Sequence, residues 1–138
     1  MFTYQIGDYY ITQQQVLMMV KRFFQLVFIL LILLSLYLSL SPASSNVPML
    51  WNDKLIHCMS YFALMLTLDF SWISSKQLIA KSMVVLLYSG LIEYGQSYIP
   101  GREMSLGDLA ANALGILLFV LFVPVLNKNG VYQYLKLK

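Results

Sequence analysis

The sequence predicts an all-α membrane protein, a compact antiparallel bundle of four transmembrane helices, and three observations carry that prediction. First, 59% of the 138 residues are hydrophobic and only 11% are charged, whereas soluble domains carry roughly 25% charged residues. Second, the apolar residues gather into four runs, each near the roughly 20 residues that a helix needs to cross a hydrocarbon core about 30 Å thick. Third, the connections are short, which makes consecutive spans antiparallel neighbours.

The first span runs from about Phe23 to Leu40 (FFQLVFILLILLSLYLSL). Lys21 and Arg22 before it and the small residues Ala43 and Ser45 after it would also suit a secretory leader. The run is longer than the roughly 7 to 15 residues of a leader's apolar core, however, and a long segment precedes the basic pair. Residues 1–22 then form an N-terminal segment whose tyrosines suit an interfacial helix at headgroup level. The second span runs from about Leu55 to Ile73, the third from about Leu78 to Ile99, and the fourth from about Asp108 to Leu126. The membrane domain is thus 23–126, followed by a basic tail at 127–138.

Basic residues orient the bundle, because translocated loops are poor in Lys and Arg. Lys21, Arg22, Lys76, Lys81, Lys128, Lys136 and Lys138 fall on one side, and Lys54 and Arg102 on the other, a split of seven to two. Both termini are therefore expected in the cytoplasm, with the 41–54 and 100–107 loops outside.

This topology brings polar groups from three spans to one outer end. Residues three or four apart share a helix face, so Lys54, His57 and Tyr61 form one stripe, Glu93 and Gln96 a second, and Asp108, Asn112 and Gly115 a third. Lipid offers such groups no partner, so the stripes should face one another around a water-accessible pocket. Pro100-Gly101 suits the centre of a type II turn. The turn would present Arg102, whose guanidinium can grip a carboxylate or phosphate through paired hydrogen bonds.

In that pocket Lys54 and Arg102 would hold an anion. His57 and Glu93 are the acid and base candidates, Asp108 would orient a basic partner, and Gln96 and Asn112 would hydrogen-bond the ligand. Asp53 and Tyr61 complete the lining. Glu93 lies about 9 Å inside its span at 1.5 Å per residue, so it must be neutral, paired with Arg102, Lys54 or His57, or used. The bland reading is an ion-paired cluster that fixes helix packing, with Asp53 and Asp108 capping helix N-termini. Asp69, within reach of Lys76 or Lys81, reads as structural, and Cys58 as a small apolar filler.

Several classes are excluded. A net charge of +3, scattered along the chain, does not make a nucleic-acid surface. One histidine and one cysteine fall short of any zinc spacing, and no cofactor motif occurs. SLGD at 105–108 lacks the first glycine of the G-x-G-D of intramembrane aspartyl proteases.

The elements DKLIHCMSYF and EYGQSYIPGREMSLGDLAANALG together resemble the VanZ-like family of membrane proteins. The resemblance rests on the ordered set D-K-x-x-H, E-x-x-Q, P-x-R and D-x-x-x-N, over roughly Trp51 to Leu118. It implies a multi-pass protein of the bacterial cytoplasmic (inner) membrane and an association with resistance to the glycopeptide teicoplanin, and it implies no particular reaction. Two function classes fit the pocket. One is a protein that binds or processes a membrane lipid or lipid-linked envelope ligand, and the other is a non-enzymatic accessory module acting through a partner protein.

Cysteine labelling in intact cells, with Cys58 replaced, tests the orientation. An impermeant reagent should label a cysteine placed at Ser44 and spare one at Lys76, and the opposite pattern would put the polar end in the cytoplasm.

Overall fold

The computed structural model describes residues 3–6, 9–41, 52–72, 77–130 and 132–133. Four helices form the body: α1 (Gln13–Leu40), α2 (Asn52–Ser71), α3 (Leu78–Gln96) and α4 (Leu106–Leu126). Most of the loop expected at 41–54, the small residues Ala43 and Ser45, and the basic residues Lys76, Lys136 and Lys138 lie outside the described residues.

The N-terminal segment departs from the expected interfacial helix. Strands β1 (Thr3–Ile6) and β2 (Tyr9–Thr12) pair antiparallel, with Thr3 opposite Thr12 and Ile6 opposite Tyr9. TYQI and YYIT are rich in the β-branched and aromatic residues that favour strands. Helix α1 begins ten residues before Phe23 because Thr12 and Gln15 form a capping box. The Gln15 amide donates to Thr12 Oγ1 (3.3 Å), and the Thr12 amide donates to Gln15 Oε1 (2.9 Å).

The helices run up, down, up and down. The C-terminus of α1 lies beside the C-terminus of α3, where Gln96 Nε2 donates to Ser39 O (3.2 Å). At the same end the N-terminus of α2 meets that of α4 through Lys54 and Asp108. Helices α1, α3 and α4 are each long and apolar enough to cross a membrane. Helix α2, at 20 residues, is not among them, because it is the interior helix and carries the polar load. It packs against the other three, and its Tyr61, Leu64, Met65 and Leu68 form the core with Val85 of α3 and Ile116, Phe119 and Val123 of α4.

Polarity is inverted relative to a water-soluble bundle. Ile79 is 79% exposed and Leu106 74%, while Glu93 and Asn112 are fully buried. The buried face of α3 reads Lys81, Val85, Ser89, Ile92, Glu93 and Gln96, a stripe at helical spacing in which most members are polar. The alcohols on α2 satisfy themselves locally: Thr67 Oγ1 donates to Ala63 O (2.8 Å) and Ser71 Oγ to Thr67 O (2.6 Å).

The end opposite the predicted pocket is closed by its own buried network. Lys81 Nζ pairs with Asp69 Oδ1 at 2.7 Å and donates to Trp72 O, and Tyr132 donates its hydroxyl to Asp69 Oδ2. Of the two lysines considered for Asp69, the structure thus shows Lys81 in place. Burial and the adjacent Asp69 carboxylate push the Tyr132 phenol above its ordinary value.

Gly115 sets how closely α2 and α4 approach. A Cβ built there would lie 2.1 Å from the Cys58 carbonyl oxygen and 3.0 Å from the Phe62 nitrogen, both backbone atoms of α2. Neither can move without moving the helix. Gly115→Ala should therefore lower the melting temperature, by a cost in the overpacking range of about 1–3 kcal/mol or more, whereas Gly90→Ala, where nothing lies within 4 Å, should not. Equal melting temperatures for the two variants would show that α2 and α4 are not in contact at this point.

Candidate functional site

The polar end is built around paired stripes on α2 and α4, which begin at the same end and run in the same direction. Ser105 caps α4, its Oγ accepting from the Asp108 amide at 3.2 Å, and this holds Asp108 in the first turn, where a carboxylate meets the helix dipole favourably. Asp108 faces α2 and is ion-paired through Oδ1 to Lys54 Nζ. Lys54 Nζ also lies 3.9 Å from Asp53 Oδ2 and 3.5 Å from Ser105 Oγ. The Lys54 side chain is 47% exposed and the Asp108 side chain 8%, so the pair stands at the rim with its acid on the inner side.

One turn deeper, His57 sits between the helices. Its Nδ1 is 3.0 Å from Asn112 Oδ1, and its Nε2 is 3.7 Å from Asp53 Oδ1 and 3.9 Å from Asp108 Oδ2. Asn112 in turn donates Nδ2 to Ser89 Oγ of α3 at 2.8 Å. The Tyr61 phenol, buried on the same stripe as His57, reaches Ser89 and lies near Glu93. A continuous polar path thus connects the rim to the interior through three helices. Donor atoms of Asp53, His57 and Asp108 all lie within 4.8 Å of one another, close enough to share one metal ion.

Glu93 is the deepest carboxyl of this end and is fully buried. Its Oε2 accepts from the Ser105 amide at 3.3 Å, and its Oε1 has no hydrogen-bond partner among the described residues. Ser105 therefore links Glu93 to the Lys54–Asp108 pair, with its amide on one and its hydroxyl near the other.

Seven of the nine expected site residues come together here: Asp53, Lys54, His57, Tyr61, Glu93, Asp108 and Asn112. Gln96 and Arg102 are placed differently. The expected turn is present, with the Arg102 amide donating to Ile99 O at 3.0 Å and Gly101 at φ 79°, the values of a type II turn. But the guanidinium that it presents turns outward to α1, donating Nε to Ser41 O (2.8 Å) and Nη2 to Leu38 O (2.9 Å). No ion pair joins it to Glu93 among the described residues. The reason is that the last carbonyls of α1 have no intrahelical donors, and a planar fork of donors satisfies two of them at once. Gln96 does the same for Ser39 O. Both residues fasten α1 to the bundle.

Ser89 was not singled out in the sequence, although its position four residues before Glu93 on the same stripe was a usable signal.

No family model matches the chain, and no solved structure matches it. Among curated proteins it is similar to an uncharacterized protein of Schizosaccharomyces pombe, 33% identical over 108 residues that make up 75% of this chain and 64% of that protein. The alignment thus spans less than two thirds of the relative's length, and the relative's description names no activity.

If Arg102 serves α1 while Glu93 serves the α4 cap, their substitutions should be independent. Arg102→Gln should cost on the order of 1 kcal/mol through the lost carbonyl contacts. In a double-mutant cycle read by thermal unfolding, Glu93→Gln and Arg102→Gln should then add to within about 0.5 kcal/mol. Recovery of stability in the double mutant would instead show that the two are paired.

Proposed function

We propose that the chain is a VanZ-like protein spanning the membrane four times, whose polar end binds and acts on an anionic, lipid-linked ligand at the membrane surface. Helix α2 is the fourth span in this reading, admitted because α1, α3 and α4 cover it. Both termini lie on the cytoplasmic side and the polar end faces outward. A bacterial envelope and a contribution to teicoplanin resistance are the version of this reading to which the VanZ-like motifs lead.

The observation that carries the proposal is Glu93. A carboxyl with no exposure and one unmatched oxygen is costly to maintain, and it lies near Tyr61 and is joined through Ser105 to the Lys54–Asp108 pair. Packing alone does not call for it, since a leucine would fill the volume without a desolvation cost. Lys54, half-exposed at the rim, is the cation best placed to meet an arriving headgroup. Arg102 is no longer needed for that role.

The bundle also offers a path for an acyl or prenyl chain. An apolar groove of about 290 Å³ between α3 and α4 is lined by Leu78, Met83, Leu86, Ile116 and Val120. It shares Met83 and Leu86 with a second groove of about 420 Å³ that reaches Gly90, Leu91 and Leu109. Leu109 adjoins Asp108, so a chain lying in these grooves would end its headgroup near the polar cluster.

The rival reading, an accessory module without turnover, is favoured by one fact, namely that both cations of this end already have protein partners. Purified protein in nanodiscs separates the two. Preferential binding of a lipid phosphate over phosphatidylcholine, with turnover abolished by Glu93→Gln and reduced by His57→Gln in folded protein, is the expected result. Binding that does not distinguish the lipids, in protein whose folding is normal, would overturn the proposal.

A further inference from the structure

We infer that Asp53, His57 and Asp108 form a binding site for a divalent transition-metal ion. The inference concerns the cluster itself and does not require the lipid reading to hold.

The histidine is prepared for a metal by its partners. Asn112 spends its amide N–H on Ser89 Oγ (2.8 Å), which turns its Oδ1 toward the ring at 3.0 Å from His57 Nδ1. An amide oxygen only accepts, so Nδ1 carries the proton. In the neutral ring Nε2 is then a lone pair. This arrangement, with one ring nitrogen donating outward and the other left as a ligand, is the one that metal-binding histidines adopt.

That lone pair faces two carboxylate oxygens, Asp53 Oδ1 at 3.7 Å and Asp108 Oδ2 at 3.9 Å. These distances exceed hydrogen-bonding range. All three atoms lie within 4.8 Å of one another, and bonds of about 2.0–2.2 Å from nitrogen and oxygen to a central ion span such separations with little adjustment. Lys54 does not fill the position. It approaches the opposite oxygens, Asp108 Oδ1 and Asp53 Oδ2, and so leaves the inner oxygen of each carboxylate turned to His57.

The charge at this end points the same way. Asp53, Asp108 and Glu93 are three carboxyls, Glu93 retains an unmatched oxygen on the layer beneath, and Lys54 is the single ammonium among the described residues that is paired with any of them. One imidazole with two carboxylates is a mixed nitrogen and oxygen set that suits Zn²⁺ or Mn²⁺ better than a soft thiophilic ion. Three protein ligands would leave a coordination position open, as catalytic metal sites do.

The test uses the full-length protein in nanodiscs, its affinity tag removed and its metals stripped by a chelator, with Zn²⁺ followed by calorimetry and Mn²⁺ by electron paramagnetic resonance. The expected result is one ion per chain and a higher melting temperature with Zn²⁺. Asp53→Asn leaves the Lys54–Asp108 pair in place and should keep the metal-free melting temperature, yet weaken binding about tenfold or more and abolish the stabilisation by Zn²⁺. His57→Gln should likewise weaken binding and abolish the stabilisation by Zn²⁺. Asn112→Leu, which removes no metal ligand, should weaken binding about 10–100-fold. Absence of uptake by folded wild-type protein would overturn the inference, as would uptake that Asp53→Asn and His57→Gln leave unchanged. Lipid-phosphate binding scored in the same nanodiscs keeps the two proposals apart. Headgroup preference that persists in chelator without metal uptake defeats the metal site alone, and metal uptake without headgroup preference supports the metal site while defeating the lipid reading.

Discussion

The close approach of α2 and α4 at Gly115 is the constraint on which the polar end depends. The missing side chain lets the Cys58 carbonyl of α2 rest against α4, as small residues do wherever membrane helices pack closely. Once the two axes are that near, short side chains can bridge them. Lys54 meets Asp108 and His57 meets Asn112, while Tyr61 and Phe119 join the same core one or two turns farther on. Residues three or four apart on one helix match residues three or four apart on the other because the helices run in the same direction. A wider spacing would leave each of these polar groups without a partner.

The magnitudes explain why the network is complete at one end and incomplete at the other. An exposed ion pair contributes about 0–1 kcal/mol, so the rim pair of Lys54 and Asp108 contributes little by attraction alone. Its inner partners matter more, because a buried polar group without a hydrogen bond costs about 1–3 kcal/mol. At the far end that cost is avoided, with Asp69 engaged by Lys81 and Tyr132 and Lys81 also capping the end of α2. At the near end the Glu93 oxygen is left over. The fold thus satisfies its buried carboxylate at one end and leaves one carboxyl oxygen unmatched among the described residues at the other.

Much of this was legible in the sequence. Helices α3 and α4 start within two residues of their expected positions, because hydropathy and the turn at Pro100-Gly101 are local signals. The polar stripes were visible in helical spacing, and the facing of His57 and Asn112 followed from topology. Three features were hidden. The start of α1 lies in polar sequence, where the Thr12–Gln15 capping box, not hydropathy, marks the boundary. The destination of Arg102 depends on the free carbonyls of α1, which no sequence pattern shows. The grouping of Asp53, His57 and Asp108 draws on two helices far apart in the chain, so no linear metal-ligand spacing reveals it.

The interior position of α2 bears on how the chain is assembled. A segment carrying Asp53, Lys54, His57 and Asp69 gains little by entering lipid alone, since charged residues at a helix centre oppose insertion by about 2.5–3.5 kcal/mol each and less toward the ends. Its partners for those groups, Lys81 of α3 and Asp108 and Asn112 of α4, are synthesised after it. In a four-span protein α2 therefore has to wait at the insertion machinery, or at the membrane surface, until the later helices emerge, and it enters with them as a unit. With four spans, retention of α2 in the membrane would depend on α4, which is made after it.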